Sequence, residues 1–312
     1  MSFNTKGLTD PSKAVAIKKW LLDNSFSFDF ICLQEIKCEG KVLEFNLKRL
    51  NPNYTWFSTA HENGRGGSVI GINPSFAKEV VKSYKNKSWV CVEFGGELNF
   101  SLVSVYAPCN PRERALVWEE LSSLTGNLLL CGDFNMVAFA EDRHLRNRYV
   151  LYGLEEGEWS NLAVSLDLTD MSQDSGFTWN NKQIGENYRA ARLDRFYMSD
   201  MLLERWPHSS CQISRSTQIS DHYPLILKAT ADKAMVRSGW FHADPVFFDD
   251  PKVREDIHFI FRAAFNSYPS PAKAWSVAVS QAQQRLAHYM RLARERRGAY
   301  RKALELEIKH RC

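Results

Sequence analysis

The sequence predicts an α/β (α+β) fold: a four-layer α/β/β/α sandwich of two packed mixed sheets flanked by helices, followed by a helical C-terminal extension. Three observations predict it. Residues 28–33 and 128–131 are near-continuous apolar runs of strand length, the pattern of strands covered on both faces. Shorter strand candidates joined by Gly, Asn and Pro turns surround them, and segments with apolar residues at helical spacing alternate with both. A chain of 312 residues with 44% hydrophobic content can bury such a core in one domain. That domain is expected over 1–230, with 231–250 as a linker and 251–312 as a helical basic extension.

In chain order, Ser2-Phe3-Asn4 reads as the tail of a first strand. Asp10 and Pro11 then cap and start a helix in which Ala14, Ile17, Leu21 and Leu22 recur at helical spacing. The strand at 28–33 exits through Gln34 and Glu35, and a short helix is expected over 42–50. Strand candidates follow at 54–58, 67–72, 89–94 and 98–106, a series that suggests antiparallel hairpins. Leu116, Leu121 and Leu124 mark a helix before the buried strand at 128–131, and Trp159, Leu162, Ala163 and Leu166 mark another. Residues 187–191 read as a loop, 192–197 as a strand, and Leu225, Ile226 and Leu227 open the last strand of the domain. Beyond it, Asp-Pro pairs at 244–245 and 250–251 break the chain, and helical spacing resumes from Val253 to Phe265. From Trp275, the residues Val279, Ala282, Leu286, Tyr289 and Ala293 form a heptad-like seam, so this helix is expected to pack on the domain or to pair with a partner helix.

The formal charge of +4 is unevenly spread. From residue 232 onward 15 Lys and Arg face 9 Asp and Glu, a balance of +6 that leaves about −2 for everything before it. The front part is therefore no polycation. With no apolar run of 18 residues and no charged-then-apolar N-terminal signal, no membrane partner is indicated, and an intracellular protein is expected. Seven scattered cysteines with no CxxC pair indicate neither a zinc site nor a disulfide framework. Cys32, Cys91 and Cys131 fall inside apolar strand runs, where a reduced thiol acts as a small core residue.

Polar residues collect at the predicted strand exits. Gly132-Asp133-Phe134-Asn135 presents an acid and an amide two residues apart, side by side on a period-two backbone. Ser220-Asp221-His222 stands at the start of the last strand. In order the set is Asn4, Glu35, Tyr106, Asp133, Asn135, Asp194, Asp221 and His222. Each has a bland explanation when taken alone: Gly-Asp-x-Asn is a good turn, and Asp194 between two arginines is a surface ion pair.

Taken in this order, the set resembles the endonuclease/exonuclease/phosphatase superfamily, whose members include deoxyribonuclease I, apurinic endonucleases of the exonuclease III type and inositol 5-phosphatases. The motifs Ser2-Phe3-Asn4-Thr5-Lys6-Gly7-Leu8, Leu33-Gln34-Glu35, Arg65-Gly66-Gly67, Ser104-Val105-Tyr106-Ala107-Pro108, Phe177-Thr178-Trp179, Arg192-Leu193-Asp194-Arg195-Phe196 and Ser220-Asp221-His222-Tyr223-Pro224 look closer still to the endonuclease domain of plant LINE-type (non-LTR) retrotransposons. Phe3 and Lys6 depart from that pattern, where Trp and Arg are common.

What the resemblance implies is a metal-dependent endonuclease that nicks double-stranded DNA, leaves a 3′-hydroxyl and works in the nucleus. Phosphodiester hydrolysis calls for a hard divalent ion held by oxygen ligands, Mg2+ with Mn2+ as an alternative. By the same resemblance Glu35 is the first metal ligand, with Asn4 and Asp221 in support. Asp133 orients or deprotonates water, Asn135 and Tyr106 hold phosphate oxygens, and Asp194 orients His222. Which of Asp133 and His222 takes the proton stays open. Thr178, Arg192 and Ser220 are candidate phosphate or DNA contacts, and Arg65, Arg112 and Arg195 are looser ones. An apurinic-site endonuclease, a small-molecule phosphoesterase and a catalytically inactive binding module are the rival readings. A LINE polymerase protein continues into a reverse transcriptase, which does not fit in 231–312, so an endonuclease unit with part of its linker is expected.

Overall fold

Two six-stranded mixed sheets carry the fold. The computed structural model describes residues 1–59, 66–137, 142–144, 158–159, 161–163, 165–172, 176–229, 248, 250–267 and eight single positions between 270 and 286. The chain divides into two compact units, Met1–Asp232 and Lys233–Cys312. In the first unit one sheet has the order β13 (Ser210–Ile213), β14 (Leu225–Lys228), β1 (Ser2–Asn4), β2 (Phe30–Gln34), β4 (Ser68–Ile72), β3 (Thr55–Ser58). The other has the order β5 (Val80–Lys85), β6 (Trp89–Phe94), β7 (Phe100–Tyr106), β8 (Leu128–Asp133), β12 (Asp194–Ser199), β9 (Leu168–Asp170). A small hairpin pairs β10 (Trp179–Asn180) with β11 (Ala190–Ala191). Within each sheet one pair is parallel, β1 with β2 and β7 with β8, and the other pairs are antiparallel.

Period-two alternation sorts the side chains into layers. Ile31 and Leu33 of β2 join Phe3, Ile17, Trp20, Leu43 and Leu47 in a cluster beneath α1 (Pro11–Asp23) and α2 (Gly40–Leu50). Cys32 between them points the other way, into a core shared by both sheets with Ile70, Ile72, Val92, Leu102, Leu129, Cys131, Phe196 and Met198. On the far side Leu128 and Leu130 of β8 pack with Val103, Val105, Trp118 and Phe134 against α4 (Pro111–Leu121). Each such large side chain, fully buried, contributes about 1.5–3 kcal/mol. The order of layers is therefore helices, sheet, sheet, helices, as the sequence predicts.

The helix starts follow their caps. Asp10 accepts from the Ser12 N–H at 2.8 Å ahead of Pro11, and Asn110 accepts from the Arg112 N–H at 2.9 Å ahead of Pro111. The unit also holds the short helices α3 (Pro74–Ala77) and α5 (Asp200–Arg205), and residues 158–159, 161–163 and 165 are helical, where the sequence expects a helix. All six described cysteines are free thiols.

Residues 187–191 are not simply a loop, because Ala190 and Ala191 pair with Asn180 and Trp179. In the second unit α6 (Pro251–Ser267) covers the expected helical stretch. Farther on, the buried positions are Ala274, Ala278, Ala282 and Leu286, with Trp275 exposed. Steps of four make a one-sided helical stripe, which differs from a heptad seam. Tyr289, Ala293 and the basic residues after them lie outside the described residues, as does nearly all of 231–250. No helix among the described residues is long and apolar enough to cross a membrane.

Candidate active site

Three strands of the second sheet bring their ends into one row. Tyr106 of β7 and Asp194 of β12 both stand opposite Asp133 of β8. Leu129, Cys131, Phe196 and Met198 of the same strands face the other sheet, so period-two alternation turns Asp133 and Asp194 that way too. In the first sheet β1 ends in Asn4 opposite Gln34, and Glu35 follows at once. Because β14 runs antiparallel to β1, with Ser2 opposite Leu225, the residues before it, Asp221 and His222, lie at the same end as Asn4.

The two rows meet. Asn4 Nδ2 donates to Asp133 Oδ2 at 2.8 Å, and His222 Nδ1 lies 2.8 Å from Asp194 Oδ2. His222 Nε2 is 4.0 Å from Asp133 Oδ2. The exits are sharp turns: Lys6, Glu35, Lys37 and Asn135 all have left-handed backbones, with φ of 54°, 54°, 52° and 46°. Left-handed geometry costs side-chain-bearing residues about 1–2 kcal/mol each. Gly132 is required for a related reason. Its φ is +139°, and a Cβ there would sit 1.9 Å from the Val105 carbonyl oxygen.

Burial and charge set the protonation states. Burial raises the Asp133 carboxyl to about 6; His222 pulls it down and Asp194 pushes it up, while the Asn135 N–H and Asn4 amide favour the ionised form. Burial alone would lower His222, but Asp194, then Asp133 and Asp221, outweigh it and raise the imidazole to about 9. The ring is thus a cation at neutral pH, beside a carboxylate that titrates near it. Burial also raises the Tyr106 phenol, helped by the Glu35 and Asp133 charges, so it stays a hydroxyl donor. Burial acts to raise Asp221, yet Lys6 and His222 hold it below the usual carboxylate range.

The remaining expected contacts are placed differently. Thr178 is buried, and its Oγ1 accepts from the Leu193 and Asp194 N–H groups at 3.0 Å each, so it holds the strand that carries Asp194. Ser220 Oγ accepts from the His222 N–H and donates to Asp221 Oδ1, both at 3.3 Å. Arg192 and Arg195 are corrected as DNA contacts. Both are buried, Arg192 on Asp142 and Asp170 at 2.7 Å each, Arg195 on the same carboxylates at 2.6 and 2.7 Å. Charges taken from water are held by their partners and cannot reach a phosphate. Arg112 is exposed, and Arg65 lies outside the described residues. Sequence reasoning missed Lys37, 2.5 Å from Glu35 Oε1, and the Trp179 indole N–H, 3.3 Å from Asp221 Oδ2. The signal was there: Lys37 follows Glu35 by two residues, and Trp179 belongs to a quoted motif.

Residues 1–222 match the family described as the Endonuclease/Exonuclease/phosphatase family. The chain belongs to this family. It is thereby a nuclease or phosphoesterase of this fold, from a family of phosphodiester hydrolases that typically use divalent metals. Solved structures share the fold: an AP endonuclease from Archaeoglobus fulgidus (TM-score 0.56, 18% identity, 74% of this chain and 98% of that one) and a 3'-5' exonuclease (NExo) from Neisseria meningitidis (TM-score 0.56, 16% identity, 73% and 98%). Truncated Caenorhabditis elegans TDP2 is similar as well (TM-score 0.51, 15% identity, 74% and 96%). No curated protein matches the chain in sequence.

The residues fit the divalent ion of this family. Asp133, Asp194 and His222 present ligand atoms all within 4.8 Å of one another, and Asp194 Oδ1 is buried with no hydrogen-bond partner among the described residues. Glu35 and Asp221 each hold a lysine ammonium instead, Lys37 at 2.5 Å and Lys6 at 2.7 Å, positive charge on two hard oxygen donors. Asp133, Asp194 and His222 are thus the cluster whose geometry could hold an ion, and Glu35 and Asp221 are further hard oxygen donors, each paired with a lysine.

Proposed function

We propose that this chain is a divalent-metal-dependent endonuclease that nicks double-stranded DNA and leaves a 3′-hydroxyl, the role of the target-nicking domain of a non-LTR retrotransposon. One observation carries the reading: a carboxyl raised to about 6 and an imidazole raised to about 9 stand side by side across the two rows. At neutral pH this is an ionised base next to a cation, the pairing that hydrolysis of an anionic ester requires.

In this reading Asp133 accepts a proton from water as the water oxygen bonds to phosphorus. The bond from phosphorus to the 3′-oxygen breaks, its electron pair stays on that oxygen, and protonation gives the 3′-hydroxyl and a 5′-phosphate. His222, held cationic and oriented by Asp194, bonds a phosphate oxygen as negative charge builds there. The Tyr106 hydroxyl and the Asn135 amide donate to the remaining oxygens. Glu35, with Asn4 and Asp221, would hold Mg2+ or Mn2+, which when bound supplies Lewis-acid stabilisation of charge on the phosphate. Lys6 and Lys37, exposed beside Asp221 and Glu35, suit a phosphate backbone, as does the exposed Arg112, and such a grip weakens steeply with salt. A nicking enzyme for genomic DNA acts in the nucleus.

Plasmid nicking against cleavage of an abasic oligonucleotide, with Glu35→Ala and His222→Ala as controls, tests the reading. Nicking of intact plasmid, lost in both variants, is the expected result. Cleavage confined to the abasic strand replaces it with an apurinic-site activity, and binding with no hydrolysis replaces it with an inactive DNA-binding module.

A further inference from the structure

Just below the two catalytic rows, the inner core of the sandwich is polar. Ser2, Gln34, Ser68 and Ser104 are each at most 1% exposed. Gln34, Ser68 and Ser104 occupy inward positions that two residues deeper hold Cys32, Ile70 and Leu102. Gln34 reaches across the gap between the sheets: its Nε2 donates to Ser104 Oγ at 3.0 Å, while its Oε1 accepts from Ser2 Oγ at 3.4 Å within its own sheet. Ser68 Oγ, paired with Gln34 across β2 and β4, bonds the Ser104 carbonyl at 3.0 Å and stands 2.5 Å from its hydroxyl.

Three of the four adjoin a residue of the site. Gln34 precedes Glu35, Ser2 is two residues from Asn4, and Ser104 is two residues from Tyr106. Apolar packing is non-directional and tolerates sliding of one sheet over another, whereas a hydrogen bond holds distance and angle within narrow limits. A buried amide left unpaired is penalised, so the bridge resists any shift that would break it.

We infer that Gln34 and Ser104 are positioning residues, a cross-sheet bridge that holds Glu35 in register with Tyr106 and Asp133. The inference rests on the proposed nuclease reading and deepens it. Asn4 and His222 also bond across the gap, to Asp133 and Asp194, but the bond to Ser104 is the one made by the residue next to Glu35, and misplacement by about 1 Å can cost roughly a hundredfold in rate.

The test uses the full 312-residue chain with Gln34→Met, which keeps length and removes the amide, Ser104→Ala, and the double variant. Ser199→Ala, which removes a buried hydroxyl that bonds the Leu128 N–H within one sheet, is the control. Nicking kinetics should show kcat reduced roughly tenfold to a hundredfold in each single variant with KM within about twofold, since substrate contacts are untouched. The double variant should be no slower than the slower single, and Ser199→Ala should match wild type. Amide hydrogen exchange at Thr5 and Ala107, which close the strand ends onto the Gln34 and Asp133 carbonyls, should quicken in Gln34→Met and Ser104→Ala. Wild-type kcat in both single variants overturns the inference, as do multiplicative losses in the double variant. If Gln34→Met does not fold, Ser104→Ala decides alone. If wild type nicks no DNA, the nuclease reading falls, and unchanged exchange still overturns the bridge.

Discussion

Replacing Asp194 with Asn removes one charge and keeps the shape of the contact to His222, so it isolates what that charge does. Asp194 is the largest of the influences that raise the imidazole from 6.5 to about 9, and burial, larger still, works against it. A rise of that size corresponds to roughly 3 kcal/mol favouring the cation. With the charge gone, burial prevails and the midpoint should drop to 6.5 or below, leaving a neutral ring at pH 7.5. Nitrogen-15 NMR of the imidazole in chelator-treated protein reads this directly. Nicking should follow, with Asp194→Asn slowed about a hundredfold at pH 7.5 and partly restored as pH falls toward 6.

Stability gives a second readout whose sign is fixed. A group with a raised folded midpoint stabilises fully below its unfolded value, near 6.5, and loses that contribution as pH rises through about 9. Urea unfolding of the metal-free protein should therefore weaken between pH 6.5 and 9.5 by up to about 3 kcal/mol more in wild type than in Asp194→Asn. A His222 midpoint near 6.5 in wild type, or one unmoved by the substitution, refutes the reasoning.

Other outcomes follow from the same geometry. Wild-type nicking should decline as pH falls through about 6, because a protonated Asp133 accepts no proton, and Asp133→Asn should lose about a hundredfold or more at neutral pH in single-turnover assays. Arg195→Met removes one of the two buried guanidiniums that neutralise Asp142 and Asp170, leaving them with Arg192, and should destabilise the domain by about 3–5 kcal/mol in urea titrations. Gly132→Ala puts a methyl group into the Val105 carbonyl of the neighbouring strand, so its circular dichroism melting curve should shift sharply downward or vanish. Plasmid affinity should fall linearly on a log scale with salt, and removing the Lys6 and Lys37 charges together should reduce that slope by about two.

Strand identity was legible wherever a strand was buried on both faces. The 28–33 and 128–131 runs become β2 and β8, and the Asp10-Pro11 cap begins α1 where expected. Edge strands were legible only in part: β3 falls on the 54–58 candidate, whereas β5, β9 and β13 carried no mark in the sequence. In β5, Val81, Lys82 and Ser83 are all exposed, so little apolar alternation survives to be read. The pairing of Ala190 and Ala191 is likewise set by a partner strand and by no side-chain pattern of their own.

The arginines flanking Asp194 show why the candidate site was only partly readable. Sequence places Arg192, Asp194 and Arg195 together, and a period-two strand would turn Arg192 and Asp194 to one side. Arg192, however, precedes β12, and its guanidinium turns to Asp142 and Asp170, fifty and twenty-two residues away in the chain. The acids that neutralise these arginines carry no local motif, so surface phosphate was the natural partner to expect for them. The residues that do gather, Asn4, Asp133, Asp194 and His222, are those whose strands are fixed by hydrophobic pattern and register. Legibility thus follows the physical cause: a side chain aimed by strand period can be placed from sequence, whereas one aimed by a distant charge needs coordinates.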